Sequence, residues 1–186
     1  MNFTAELEGY DEVLKLLDKK TINKVLNQTA NDEGRRFNTQ VAKDIRAEYN
    51  IKSSDIKSKV KIKRAKGDDN SFEITISSPR LSLAKFVSSV TYKKVPVNRK
   101  GGRYRGRRQF VKVKVKRGKS KLVRGGFYAK GQLFKREEDS SLPLKRLTTL
   151  SITGMFTEEI VDKGFKKVEE NYPKTLKRKL NFYISK

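Results

Sequence analysis

Cysteine and histidine are both absent from the 186 residues. Their absence excludes disulfide scaffolds, thiolate or imidazole metal sites, cysteine nucleophiles and every histidine-dependent triad. Long hydrophobic runs are missing too. The longest stretch without a charge, Leu147–Thr157, has 11 residues, about half of the roughly 20 that a membrane helix needs. The opening residues Met1–Gly9 contain Glu6 and Glu8 and do not read as a signal peptide. These absences predict a soluble protein, made in a cytoplasm, with no membrane partner.

One further absence is local. Between Ile74 and Arg136 there is no aspartate or glutamate, against 20 lysines and arginines. The whole chain has 45 basic and 21 acidic residues, a net charge of +24. Outside that stretch the balance is 25 basic to 21 acidic, only +4. The excess is therefore a localised object. A concentrated positive field attracts polyanions by releasing their condensed counterions, so the protein is expected to work beside nucleic acid or an acidic neighbour.

Hydrophobic and charged residues each make up 35 % of the chain, a composition for which disorder competes with folding. The apolar residues are periodic, however, and the length suits one domain with its own core. We expect a single domain over residues 1–186: a strand and helices in 1–58, an antiparallel sheet in 59–136, and a connecting segment with C-terminal helices in 137–186.

Phe3–Glu8 alternates apolar and polar and predicts a short strand; Tyr10–Leu17 predicts a short helix. A long helix follows over Thr21–Tyr49, with Ile22, Val25, Leu26, Ala30, Phe37, Val41, Ile45 and Tyr49 on its inner side. Gly34 interrupts it and allows a bend. Ser53, Ser54 and Asp55 are suited to capping one more turn that carries Ile56. The period then changes to two. Lys59–Ser77 reads as a hairpin around Gly67–Asn70, with Lys61 or Lys63 opposite Glu73. Leu83–Val95 reads as strand or extended chain. Residues 98–109 hold little to bury and several glycines, and read as a flexible basic arm. Val111, Val113 and Val115 alternate with Lys112, Lys114 and Lys116, a strand with one apolar face and one lysine face. Lys121–Ala129 returns, and Gln132–Arg136 adds another strand. Thr157 caps a final helix with Val161, Phe165, Val168 and Tyr172 inside, and Pro173 bends or restarts it. The predicted class is α+β, an antiparallel sheet with a long N-terminal helix and a C-terminal helix packed on it.

No catalytic signature is complete. Gly118-Lys119-Ser120 ends like a phosphate-binding loop, but Val113 stands where the first glycine must be. Asp68-Asp69 lacks calcium-loop spacing, and Glu137-Glu138-Asp139 reads as a solvated loop balancing Lys135 and Arg136. No catalytic residue, metal site or cofactor is expected. The candidate contacts are Arg99, Lys100, Arg103, Arg105, Arg107 and Arg108 in the arm, then Lys112, Lys114, Lys116, Arg117, Lys119 and Lys121. Lysines at alternate strand positions lie about 7 Å apart, close to the phosphate spacing of a nucleic acid strand. The same residues suit an acidic protein surface. A merely solvated face is the third reading, and so long an acid-free run argues against it.

The succession of short segments resembles a known family. Ile45–Lys52 closing a helix, then Asp55 and Ile56, then Val60–Ala65 are similar to the lambda-like minor tail protein Z family of tailed phages. Leu83-Ala84-Lys85-Phe86, a basic variable stretch, Gly126–Lys130, Leu133–Arg136 and Leu142-Pro143-Leu144-Lys145 continue the likeness, which spans roughly residues 20–156. The proline that usually follows the family's Leu-Pro motif is missing from Thr148–Gly154. The resemblance implies a non-enzymatic virion protein at the head-proximal end of the tail, in the neck, assembled in the host cytoplasm. It implies a homo-oligomeric ring around the DNA channel, with the tail terminator and connector proteins as neighbours. A ring that held DNA too tightly would hinder its exit, so the lysine-faced strand is expected against DNA and the arm against protein. The alternative is a freestanding nucleic-acid-binding protein, ribosome-associated or nucleoid-type.

Overall fold

The computed structural model describes residues 17–99, 102–137 and 142–185, and the side chains of these except 95–99 and 102–106. The predicted strand Phe3–Glu8 and nearly all of the predicted helix Tyr10–Leu17 lie outside the described residues. Fold class is as expected, α+β, with two long helices and antiparallel strands. Among the described residues, however, the strands are divided over four small sheets, two of two strands and two of three.

The described residues group into two compact units. The first comprises chain up to Asp44, Lys57–Ile76 and everything from Phe156 onward. Helix α1, Lys19–Glu48, supplies about half of its core. Ile22, Val25 and Val41 are fully buried, as the helical period predicts. Between Val25 and Val41 the buried line continues through Thr29 and Glu33, polar residues that a search for apolar periodicity passes over. The Thr29 hydroxyl is satisfied by donating to the Val25 carbonyl at 2.8 Å, the back-bonding open to a mid-helix threonine.

Strands β1, Val60–Lys63, and β2, Glu73–Ile76, form the expected hairpin. Its register puts Lys63 opposite Glu73 and Lys61 opposite Thr75, so Lys63 makes the ion pairs, with Glu73 at 3.9 Å and Asp69 at 3.4 Å. Three asparagines one helical turn apart on α1 hold the hairpin loop. Asn23 donates to the Asp68 carboxylate, Asn27 to the Gly67 carbonyl, and Asn31 both donates to and accepts from the Ala65 backbone.

The C-terminal helix runs without a break over Glu158–Ile184, with Pro173 inside it. Thr157 sits at its N-cap, but its side chain makes no capping bond. The buried residues are Ile160, Gly164, Val168, Thr175 and Leu176, one position off the predicted stripe at its start. Within this unit the helix packs against α1, where the sequence pattern predicts a sheet. The Phe37 and Phe165 rings lie 4.8 Å apart, and Gly164 lets Phe37 and Val41 approach where a Cβ would collide. A cavity of about 330 Å³ lies beside this contact, lined by Glu33, Arg36, Phe37, Gly164 and Val168 among others.

The second unit holds Ile45–Ile56 and Ser77–Met155. Helix α2 is the short turn Ser53–Lys57 that buries Ile56, as read from its capping residues. Strand β3, Arg80–Ser82, pairs with β10, Thr148–Ser151. Leu83–Phe86, expected as strand or extended chain, is a 3-10 turn, because the Ser82 hydroxyl accepts from the Ala84 N–H and caps it. Strands β4, Val87–Arg99, and β5, Gly102–Val113, then form a long antiparallel ribbon, joined at its base by β6, Lys121–Val123. Strands β7, Gly126–Ala129, β8, Gln132–Arg136, and β9, Leu144–Arg146, make the last sheet. Phe86, Val111, Val113, Leu133, Ile152 and Met155 are buried apolar residues of this unit, with Ile45, Tyr49 and Ile56 from the preceding segment.

The segment 98–109, expected as an arm without secondary structure, is corrected here. Pairing continues out to Arg99 opposite Gly102. Lack of burial argues for a loop, but a ladder needs only backbone partners. Once Val111 and Val113 are fixed in the core, each further residue pair extends it by backbone hydrogen bonds.

Candidate polyanion interface

The base of the β4–β5 ribbon is where its positions are set. Val111 and Val113 are buried and pair with Val123 and Lys121 of β6. Hydroxyls add cross-links: Ser88 donates to the Lys112 carbonyl and Thr91 to the Phe110 carbonyl. One residue further, the Gln109 side chain acts as a surrogate strand. Its Oε1 accepts from the Tyr128 N–H at 2.7 Å and its Nε2 donates to the Tyr128 carbonyl at 3.2 Å. That amide ties the ribbon to β7.

The sequence-predicted contacts fall into three groups. Arg107 and Arg108 are exposed on β5. Arg99 ends β4, and Arg103 and Arg105 occupy alternate positions of β5; Lys100 lies outside the described residues. Lys112, Lys119, Lys121 and Arg117 are exposed around the ribbon base and the turn at Gly118, whose φ of 76° suits a residue without Cβ.

The three lysines expected as one row do not share one state. Lys112 is exposed on β5, whereas Lys114 is half-buried beyond the end of that strand. Lys116 sits in a bridge with Tyr49, forms an ion pair with Glu48 at 2.5 Å and lies 5.3 Å from the Tyr49 ring centre. The hydrogen bond to Glu48, and then the charges of Tyr49 and Glu48, hold the Lys116 ammonium above the usual lysine range. Burial, followed by the Glu48 charge, pushes the Tyr49 phenol up. Backbone bonds reinforce this corner: Asn50 N–H donates to Val115, and Arg117 N–H to Glu48. The alternation is real up to Val113, but chain from Lys114 onward turns toward α1's last residues, and nothing in the Val-Lys pattern signals that turn.

Sequence reasoning missed two cations of the same ribbon. Lys93 stands opposite Arg108, and Lys94 opposite Arg107; both lysines are exposed. Reading Leu83–Val95 only for burial leaves them unassigned, and the signal is the Lys-Lys pair itself inside an acid-free run.

Elsewhere the acids serve structure. Asp55 receives Lys85 at 2.6 Å and Glu137 lies 3.5 Å from Lys145 of β9, while Glu138 and Asp139, read with Glu137 as a loop balancing Lys135 and Arg136, lie outside the described residues. The Asp69 carboxyl is held below its usual range by hydrogen bonds from Ser71, with Lys63 adding to this, as suits a solvated turn. Among the described residues no three acids converge in a way that would hold a metal ion, and no helix is long and apolar enough to cross a membrane.

No curated protein and no solved structure matches the chain. The family model described as prophage minor tail protein Z (GPZ) matches residues 7–186, extending the likeness read from residues 20–156 in both directions. With that match over nearly the whole length, the chain belongs to the prophage minor tail protein Z family.

Proposed function

We propose that this protein completes the head-proximal end of a phage tail, as a non-enzymatic ring component of the neck around the DNA channel. Membership of a minor tail protein family gives a structural role in the tail, a virion location and other tail proteins as neighbours. The finer placement draws on one observation above all: 20 basic residues and no acid between Ile74 and Arg136. Identical subunits carrying +24 each repel one another unless negative charge lies close by. DNA in a channel and acidic faces of the tail terminator or connector proteins are the two sources that a neck offers. In this reading Arg99, Lys100, Arg103, Arg105, Arg107, Arg108, Lys112, Lys114, Arg117, Lys119 and Lys121 meet that charge, with Lys116, which is paired with Glu48, beside them.

Electron microscopy of particles assembled without the protein is the direct test. Filled heads and full-length tails that remain separate are the expected result, with joining restored on adding purified protein. Normally joined particles would remove the neck assignment. A monomeric protein selective for RNA would instead favour a freestanding nucleic-acid-binding role.

A further inference from the structure

The β4–β5 ribbon carries like charges that face each other across its strands. Lys93 is directly opposite Arg108 and Lys94 directly opposite Arg107, and all four are exposed. Directly opposed side chains have Cβ atoms about 5 Å apart, and like charges there are destabilising. Successive residues of a strand point to opposite faces, so each face of the ribbon presents one such pair. No carboxylate relieves them: among the described residues none of the four has an ion pair. Lys93 Nζ lies instead 5.6 Å from the Phe110 ring centre. With Arg99, Lys100, Arg103 and Arg105 included, the chain from Lys93 to Arg108 holds eight cations and no acid.

We propose that this ribbon lies in a groove of duplex DNA, with the Lys93–Arg108 pair against one wall of phosphates and the Lys94–Arg107 pair against the other. The arrangement of charge decides between nucleic acid and an acidic protein. A protein surface meets one face of a ribbon, whereas the major groove admits a two-stranded β-ribbon and flanks it with phosphates on both sides. From Lys93 to Arg99 a strand extends about 20 Å, longer than the groove is wide at about 12 Å. The contact is independent of sequence. The Gln109 amide beside the cluster is already bonded to the Tyr128 backbone, and contacts of the four cations with phosphate carry no sequence information. This deepens the DNA contact of the proposed function, takes only its setting from that reading, and reverses the division expected from the sequence, which set the arm against protein and the lysine-faced strand against DNA.

The test uses the full chain and a short DNA duplex of random sequence, with binding followed by fluorescence anisotropy over a range of salt concentrations. Replacing Lys93, Lys94, Arg107 and Arg108 together by alanine should lower the slope of log affinity against log salt by about 3 to 4, at roughly 0.9 for each phosphate no longer neutralised. A comparison variant with Lys57, Lys166, Lys174 and Lys177 replaced by alanine has the same net charge and should keep the slope. Equal reductions in both variants would mean that diffuse charge binds the DNA, and would overturn the proposal. Arg107→Lys with Arg108→Lys preserves charge and should retain the slope; losing it there shows that binding follows ribbon integrity, and the proposal fails. Displacement of the labelled duplex by polyglutamate at a lower charge concentration than unlabelled duplex requires would assign the ribbon to an acidic protein and overturn the proposal. Head–tail joining in the absence of the protein would end the neck assignment and leave these binding results untouched.

Discussion

Gly34 gives up its side-chain space to the ring of Phe72: a Cβ at position 34 would collide with three of the ring carbons. The glycine that interrupts the hydrophobic pattern of α1 is therefore a packing surface for residue 72, ahead of β2, and the helix runs through it from Lys19 to Glu48. Gly34→Ala tests the balance of two opposed effects. Alanine gains about 1 kcal/mol of helix propensity, and forcing a methyl into a filled site costs about 1–3 kcal/mol. The expected result is net destabilisation of up to about 2 kcal/mol in urea unfolding, relieved when Phe72→Ala is added. A more stable Gly34→Ala would show that the ring moves aside freely.

The buried carboxylate on the same helix fixes the C-terminal helix by hydrogen bonding. Glu33 is 2 % exposed, and its Oε1 accepts from both Thr175 and Arg36 at 2.6 Å. Its second oxygen is buried without a hydrogen-bond partner among the described residues. Thr175→Val should cost about 1–3 kcal/mol, because it removes a donor from a desolvated acceptor, and Thr175→Ser should recover most of it. Equal stability of the valine and serine variants would remove the hydrogen bond from the account.

Tyr172 reports on the same carboxylate. Burial, and then the Glu33 charge, raise its phenol above the usual 10.0. A folded pKa above the unfolded one contributes stability that is complete below the unfolded value and is lost as pH rises through the folded one. Tyr172→Phe should therefore flatten the fall in stability above about pH 10, and Glu33→Gln should bring the late phenolate absorbance to lower pH. An unchanged absorbance titration in Glu33→Gln would show that burial alone sets the shift.

These residues also mark what is legible in the sequence. Ile22, Val25, Val41 and Ile45 are inside because a helix must bury an apolar stripe, and period alone finds it. A symmetric hairpin puts Lys61 or Lys63 opposite Glu73, and the register selects Lys63. Thr29, Glu33 and Thr175 are invisible to the same logic, since a buried polar residue depends on a partner distant in sequence. The ribbon escapes it for a related reason: Arg103 and Arg105 pair as strand through backbone groups, which their side chains do not advertise. At the site, the acid-free run locates the charge, but only the register shows Lys93 and Lys94 facing Arg108 and Arg107.

Asn31 gives a graded test of the asparagine ladder. It makes two bonds to the Ala65 backbone, each 3.0 Å long, in a part-buried setting; the Asn23 bond to Asp68 is exposed. Asn31→Ala should cost about 1–3 kcal/mol, because Ala65 loses its partners away from water. Asn23→Ala should cost well under 1 kcal/mol, since water replaces the lost bond. Amide hydrogen exchange at Ala65 should speed up in the first variant only. Equal effects at both positions would argue that loop geometry, and not the paired bonds, holds the hairpin.

Glu48 determines whether Lys116 is available to a polyanion. The ion pair with Glu48 holds the lysine at the end of α1, where its charge is already compensated. Glu48→Gln removes the compensating charge and keeps the shape. Two outcomes follow together. The Lys116 ammonium should fall back toward the usual lysine pKa of about 10.4, since the hydrogen bond and charge of Glu48 are among what raises it. Duplex DNA should bind more tightly at low salt, with the salt slope steeper by about 1 because one more phosphate is neutralised. Lys116→Ala in the native background should leave that slope unchanged. If Lys116→Ala weakens binding while Glu48 is present, the lysine reaches phosphate despite its ion pair, and the row Lys112, Lys114 and Lys116 acts as one surface after all.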